Sequence, residues 1–178
     1  KLTFPVVLKP RQGARSRGVK LIKDSGEYKV ESLKCFGKGF IVQEAVGNTN
    51  TEYTCGLLYW KGEYQNSIIL RRMLKEGNTA VAEFHGNAET KIKEYIREIG
   101  DVLKPFGSCN LQLRTNAVGE PYLFEINPRF SGTTYMRALF GYNEVEYIIR
   151  KALAWDESKL DPIPGKAYRF YEERLVNR

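Results

Sequence analysis

Apolar and polar positions along this chain follow two periods. Residues 4–9 form an apolar, β-branched run that stops at Pro10, the pattern of a buried strand. Residues 11–17, RQGARSR, are polar and contain a glycine, which predicts a loop. A strand resumes over residues 18–22. Residues 27–36 place apolar side chains at helical spacing and stop at Gly37. Residues 40–43 form a further strand that leads into Glu44, Ala45 and Val46. These segments predict a small sheet-plus-helix lobe over residues 1–46.

A larger lobe is expected over residues 47–178. Residues 47–51 break the pattern. Residues 52–60, a turn at Lys61-Gly62, and residues 63–70 read as an antiparallel hairpin. Residues 79–83 suggest another strand. Residues 89–103 predict a helix with an apolar stripe of Ile92, Ile96, Ile99 and Leu103, ended by Pro105 and Gly107. Residues 109–114 and 121–127 form a second hairpin. A short helix follows over 133–140, and Asn143 is placed to cap another through about residue 154, with Glu146 completing a capping box. After Pro162 and Pro164 a strand-like run starts at Tyr168. The class is α+β, with mainly antiparallel sheets.

Alternation in the second hairpin separates two faces. With the turn centred between Ala117 and Val118, Arg114 faces Pro121 and Gln112 faces Leu123. Gln112, Arg114, Glu125 and Asn127 then share a polar face. Leu111, Leu113, Tyr122, Phe124 and Ile126 share a core face. A one-residue slip would undo that arrangement.

Composition narrows the classes. The chain has 178 residues, 42% hydrophobic and 28% charged, enough for one core or two small lobes. No apolar stretch is long enough to span a membrane, and no signal peptide is evident. Lys and Arg total 28 against 21 Asp and Glu, a formal charge of +7. That surplus suits a nucleic acid or a highly anionic small ligand; without a basic helix or aromatic-basic repeat, the small ligand is the better fit. Cys35, Cys55 and Cys109 are dispersed, with no CxxC, and read as buried thiols of a reducing compartment. The expected location is the cytoplasm. His85 sits by a turn with Gly86 and Asn87.

The stretch LFEINPRFSG, residues 123–132, carries the most chemistry. Glu125 and Asn127 lie two apart on a strand and point the same way. Both offer oxygens that suit a hard cation such as Mg2+. Arg129 follows and can hold an anion. A flanked, buried carboxylate would need a partner, which a bound cation supplies. Upstream, Lys9 ends a strand before a loop whose Gly13, Ser16, Arg17 and Gly18 can wrap phosphate oxygens, although no GxxxxGK[ST] motif is present. Gln43, Glu44, Ala45 and Val46 end a strand where the lobes join, and Glu44 or Glu52 can take ribose hydroxyls.

These pieces resemble the ATP-grasp superfamily, especially its carbamoyl-phosphate-synthase-like members. The matching stretches, in family order, are FPVVLKP, the loop through Arg17-Gly18-Val19, IVQEAV, EYT, CNLQL and FEINPRFSG. The resemblance implies two α+β lobes with ATP between them. It implies Lys9 at the phosphates and residues 13–18 over the triphosphate. It places Gln43, Glu44, Ala45 and Val46 at the adenine edge, with Glu44 and Glu52 on the ribose side. It assigns Gln112, Glu125 and Asn127 to Mg2+ (or Mn2+), with Gln112 also against the nucleotide. Arg129 steadies the transferred phosphate, beside Lys9 and Asn127 as the catalytic group.

The implied reaction is ATP-dependent ligation of a small carboxylate to an amine or ammonia through an acyl phosphate. Two departures stand out. The family carries a further N-terminal domain and an upstream phosphate-contacting basic residue, so the chain is expected to be the ATP-binding portion of a longer protein and inactive alone. The loop is poorer in glycine than in many relatives and has Arg11, Arg15 and Arg17 instead, which suits a more anionic partner. Homo-oligomerisation is left open. A catalytically silent nucleotide-binding module and a basic nucleic-acid-binding domain are the alternatives.

Overall fold

In the computed structural model, which describes residues 1–13, 16–86, 88–155 and 159–170, the run VVLKP is the central strand of a first unit, Lys1–Val46. This strand, β1 (Val6–Pro10), pairs antiparallel with β2 (Lys20–Ile22) on one side and β3 (Phe40–Glu44) on the other. Its alternation decides the packing. Val6 and Leu8 are buried with Ile22 in a small core that includes Phe4, Tyr28, Cys35 and Phe40. Val7 and Lys9 lie on the opposite face. Pro10 completes β1, where β2 has already ended, so its missing N–H falls beside one neighbouring strand only.

Helix α1 (Ser25–Cys35) starts two residues earlier than its apolar spacing suggests. Asp24 is the reason: its Oδ1 accepts the backbone N–H groups of Gly26 and Glu27 at 2.8 and 2.9 Å, satisfying donors that an uncapped helix start leaves open.

The second unit, Gly47–Arg178, is built on a six-stranded antiparallel sheet in the order β8-β7-β4-β5-β6-β9. Its strands are β4 (Glu52–Trp60), β5 (Glu63–Lys75), β6 (Asn78–Phe84), β7 (Ser108–Thr115), β8 (Pro121–Asn127) and β9 (Gly165–Tyr168). Strand β4 is buried along its whole length except Trp60, as a central strand covered on both faces must be. On one face α2 (Thr90–Leu103) packs over Tyr53, Cys55, Leu57, Cys109, Leu111 and Leu113. On the other, α3 (Thr134–Leu139) and α4 (Glu144–Ala152) belong to a second core with Leu58, Ile68, Leu70, Phe84, Met136, Phe140 and Tyr142. Among the described residues no helix is long and apolar enough to cross a membrane.

Several expectations need correction here. The stripe of α2 is Ile92, Ile96 and Ile99, joined by Gly100, and Leu103 is half-exposed. Gly100 lies so close to Leu57 and Tyr59 that the helix meets the sheet at a residue with no side chain. Asn143 does cap α4, accepting the Glu146 N–H at 3.2 Å, but the Glu146 carboxylate takes the Asn143 side-chain amide at 3.1 Å and the reciprocal backbone bond of a capping box is not made. Strand β9 ends at Tyr168 rather than beginning there, pairing Ala167 with Ala82. The expected run beyond it, residues 171–178, lies outside the described residues, as do Arg15 and Asn87.

The β7/β8 register also differs. Arg114 faces Tyr122 and Leu113 faces Leu123; then a bulge at Phe124 shifts the ladder, so that Gln112 faces Glu125 and Asn110 faces Asn127. The expected pairing is off by one residue near the turn. The bulge adds one more, and the two together restore the parity of the far half. Glu125 and Asn127 therefore keep the face of Gln112 and Arg114. Near the turn the faces swap: Leu123 joins the α2 core and Tyr122 is exposed.

Candidate active site

The polar face of the second unit is organised by buried carboxylates that hold arginines. Glu52, at the start of β4, is 4% exposed. Arg114 on β7 is its ladder partner, and Arg72 on β5 follows Arg71, which pairs with Tyr53. Arg72 donates from Nε and Nη2 to Glu52 Oε1 at 3.0 and 2.7 Å, and Arg114 donates from Nε and Nη2 to Oε2 at 2.9 and 2.7 Å. Each guanidinium grips one oxygen. The two positive groups cannot sit side by side without this carboxylate between them, so Glu52 keeps a cationic pair in place. The carboxylate expected on the ribose side is engaged by these four hydrogen bonds, and it acts here as the organiser of Arg72 and Arg114.

Arg72 reaches further. Its Nη2 also donates to Gln112 Oε1 at 2.6 Å. A guanidinium only donates, so the amide oxygen of Gln112 is fixed on the Arg72 side and its nitrogen is turned away. The oxygen of Gln112 expected at the cation therefore has one of its two lone pairs on Arg72 in this structure.

One row on, β8 presents Glu125, Asn127 and then Arg129. Asn127 Nδ2 donates to Glu125 Oε1 at 2.7 Å, and Arg129 Nη2 donates to Asn127 Oδ1 at 3.2 Å. Arg129 Nη1 is tied to the Phe130 carbonyl at 2.9 Å. Glu125 is exposed rather than buried, so no desolvation argument applies to it. A carboxylate and an amide oxygen on one strand fit a small hard cation that keeps its remaining positions for water and ligand oxygens, as Mg2+ does. Among the described residues no group of three or more His, Cys, Asp and Glu could hold a metal ion.

Sequence reasoning missed the group beneath this face. Arg137 and Glu144 are fully buried and paired, Nη1 to Oε1 at 3.0 Å. Glu144 also accepts from Thr134 Oγ1 at 3.0 Å and Ser108 Oγ at 2.8 Å. Arg137 Nη2 donates to Asn110 Oδ1, which takes Thr54 Oγ1 at 2.8 Å as well. Gly56 makes room: a Cβ there would meet the Arg137 guanidinium carbon at 2.9 Å. The one detectable signal was the asparagine of CNLQL, set two residues before Gln112 and so on the same face.

Other candidates stand apart from this chemistry. Cys55 is buried, which pushes its thiol up to about 12, and burial raises Cys109 too; both are neutral thiols. His85 lies 3.6 Å from Glu83 and 3.5 Å from Glu89, away from the β7/β8 hairpin row.

The first unit carries its own set. Lys9 faces Ile41 and Val7 faces Gln43, so Lys9 and Gln43 share the face turned away from α1. Glu44 faces Val6, which places its side chain on the other face. Ala45 ends the segment with its N–H on the Pro5 carbonyl at 3.2 Å, followed by Val46. The loop after β1 turns tightly. Ser16 has φ 56° and Gly18 φ 75°, and the Val19 N–H returns to the Ser16 carbonyl at 3.3 Å. A Cβ on Gly18 would stand 3.0 Å from the Pro10 ring, so the loop folds back onto the strand end. Arg11 and Arg17 are exposed.

Comparison with known proteins gives a consistent result. The family model described as ATP-grasp in the biosynthetic pathway with Ter operon matches residues 38–171. No curated protein matches the chain by sequence. Among solved structures, an L-amino acid ligase from Bacillus licheniformis is similar at 21% identity and TM-score 0.64, over 91% of this chain and 43% of that one. N5-carboxyaminoimidazole ribonucleotide synthetase from Thermus thermophilus is similar at 18% identity and TM-score 0.71, over 92% of this chain and 45% of that one. A biotin carboxylase complex with βγ-ATP from Campylobacter jejuni is similar at 16% identity and TM-score 0.65, over 92% of this chain and 41% of that one. The chain spans less than half the length of these structures, and at such identities the likeness shows the fold.

Proposed function

This chain belongs to the ATP-grasp family in the biosynthetic pathway with Ter operon, and we propose that it is the ATP-binding and catalytic portion of a carboxylate–amine ligase. The observation that carries the reading is the β8 row: a carboxylate, an amide and a guanidinium in hydrogen-bonded sequence, on the same face as a pair of guanidiniums held by Glu52. Such a surface neutralises phosphates and positions them, which is what phosphoryl transfer needs more than a strong base. Similar structures that carry adenine nucleotides support ATP as the ligand.

Glu125 and Asn127 would hold Mg2+, which when bound draws charge from the phosphate oxygens. Arg129 steadies the transferred phosphoryl group. In the first unit, Lys9 is assigned to the phosphates and Ser16, Arg17 and Gly18 to the loop above them. Gln43, Glu44, Ala45 and Val46 are assigned to the base and ribose. In the reaction a substrate carboxylate oxygen bonds to the γ-phosphorus as the bond to ADP breaks. An amine or ammonia nitrogen then attacks the acyl carbon, phosphate departs, and the nitrogen loses a proton.

The test has two stages. Glu125→Ala changes an exposed residue, so melting without ligand stays within about 0.5 kcal/mol of the parent, while the stabilisation by ATP–Mg2+ disappears. An unchanged ATP–Mg2+ shift in this variant sinks the site. In the full-length protein, ADP release that requires both a carboxylate and an amine marks a ligase. ATP binding with no such release marks a nucleotide-binding module that does not ligate.

A further inference from the structure

We propose that the outward face of α1 in the first unit docks a helix of an acidic partner protein, one whose apolar stripe is flanked by Asp and Glu. Charge singles out this unit. Residues 1–46 hold ten of the 28 lysines and arginines but four of the 21 acidic residues, so +6 of the net charge of +7 lies in the smaller unit. Lys9 and Arg17 are assigned above to phosphate. The lysines on and beside α1 are not.

Helix α1 sends Tyr28 and Cys35 toward the small core. A surface helix ordinarily presents polar residues on the side away from its core, but here that side is apolar too. Val30, Leu33 and Phe36 are 54%, 79% and 88% exposed. Gly26, Val30 and Leu33 follow the alternating spacing of four and three residues that makes a coiled-coil seam, with Val30 at an a position and Leu33 at d. Phe36 extends the apolar surface to the helix end. Lys29 and Lys34 then fall at the g and e positions on either side of the seam, where charge selects the partner helix.

The nearby carboxylates are already engaged. Asp24 caps α1, Glu27 accepts the Lys23 N–H at 2.8 Å, and Glu31 takes Lys20 and Lys34. Among the described residues Lys29 and Lys38 form no ion pair. The face is therefore apolar along its middle and short of negative charge at its flanks, and the partner supplies that charge. Nucleic acid is the poorer occupant, since phosphates gain nothing from Val30, Leu33 and Phe36. A membrane is poorer too, because a helix that lies in the interface keeps its charges opposite its apolar face, whereas Lys29 and Lys34 flank this seam closely. A second copy would set lysine against lysine at the flanking positions.

The probe is a fluorescent three-heptad synthetic helix with leucine at a and d and glutamate at e and g. Its twin carries lysine at e and g. Anisotropy of each is followed as the full chain is added. The acidic helix binds, and the lysine twin binds at least about tenfold more weakly. Leu33→Asp changes an exposed side chain, so melting is unmoved while affinity for the acidic helix falls at least about tenfold. Lys29→Glu combined with Lys34→Glu reverses the preference toward the lysine twin. No binding of the acidic helix, or equal binding by the Leu33→Asp chain, overturns the proposal.

The unmodified protein gives a readout independent of any variant. In a 15N spectrum the backbone signals of Val30, Leu33 and Phe36 shift as the acidic helix is added, and shifts confined to other elements overturn the proposal. Binding of a DNA duplex or of phosphatidylglycerol vesicles that needs Lys29 and Lys34 but not Leu33, with the acidic helix inert, assigns the face to another occupant. Self-association in sedimentation that Leu33→Asp abolishes assigns it to a second copy. Either result also overturns the proposal. ATP–Mg2+ binding is read separately and is untouched by Leu33→Asp, so this surface and the ligase reading stand or fall apart.

Discussion

Removing the Glu52 carboxylate is the most informative perturbation of the polar face. Glu52→Ala deletes four hydrogen bonds and leaves Arg72 and Arg114 adjacent across an uncharged gap. The side chains of Arg72 and Arg114 are 11% and 31% exposed, so water reaches Arg114 and recovers part of its loss, while Arg72 stays confined. Breaking a buried ion pair by removing one partner costs about 3–5 kcal/mol, and the partial exposure here places the expected value near the lower end, roughly 3 kcal/mol. For a chain of this size each kcal/mol moves the melting temperature by about 2–4 °C, giving a drop of roughly 6–12 °C. Thermal unfolding by circular dichroism reads it directly. The double variant with Arg72→Ala should lose less than the sum of the single losses, since the second change removes the stranded charge. A Glu52→Ala protein that melts within about 2 °C of the parent would refute the claim that this carboxylate keeps two guanidiniums in place.

Two further outcomes follow from the packing and the charges. Glu83 is held at about 2 by hydrogen bonds from Lys166 and Arg71, against an ordinary value of 4.5. Its stabilising contribution is complete above 4.5 and is lost as the pH falls toward 2. Glu83→Gln should flatten the stability–pH curve in that window, and an unchanged acid limb would contradict it. Gly100→Ala should destabilise, against the usual gain of alanine in a helix, because the new Cβ would stand 2.5 Å from Tyr59 Oη and 2.7 Å from Leu57 Cδ2. Overpacking costs about 1–3 kcal/mol where helix propensity returns only about 0.5–1, so a melting temperature equal to or above the parent's would show that the contact is not tight.

The order of elements was legible because β1, β4, α2 and α4 each show a clean period or cap. The row Glu125, Asn127, Arg129 was legible for the same reason. The bulge at Phe124 was not, since Tyr122, Leu123 and Phe124 are all apolar and a skipped residue leaves no break in hydropathy. The two arginines on Glu52 were not legible because they lie 20 and 62 positions away, and only sheet pairing brings them beside it. The Arg137–Glu144 pair was invisible for another reason. Charges on short helices read as solvent-facing, and nothing local reports that both are enclosed.

The bulge also makes changes in hairpin length unequal in their effects. One surplus residue is stored between the turn and the far rungs. A single deletion near Phe124 can be absorbed by closing that slack, with Glu125 still across from Gln112 and Asn127 across from Asn110. A single insertion has no such reserve, and it must either create a second kink or rotate the working side chains into the α2 core. Natural variation in this ribbon should therefore run toward shortening, and grafts that lengthen it should be placed at the tip beyond Thr115 and Pro121.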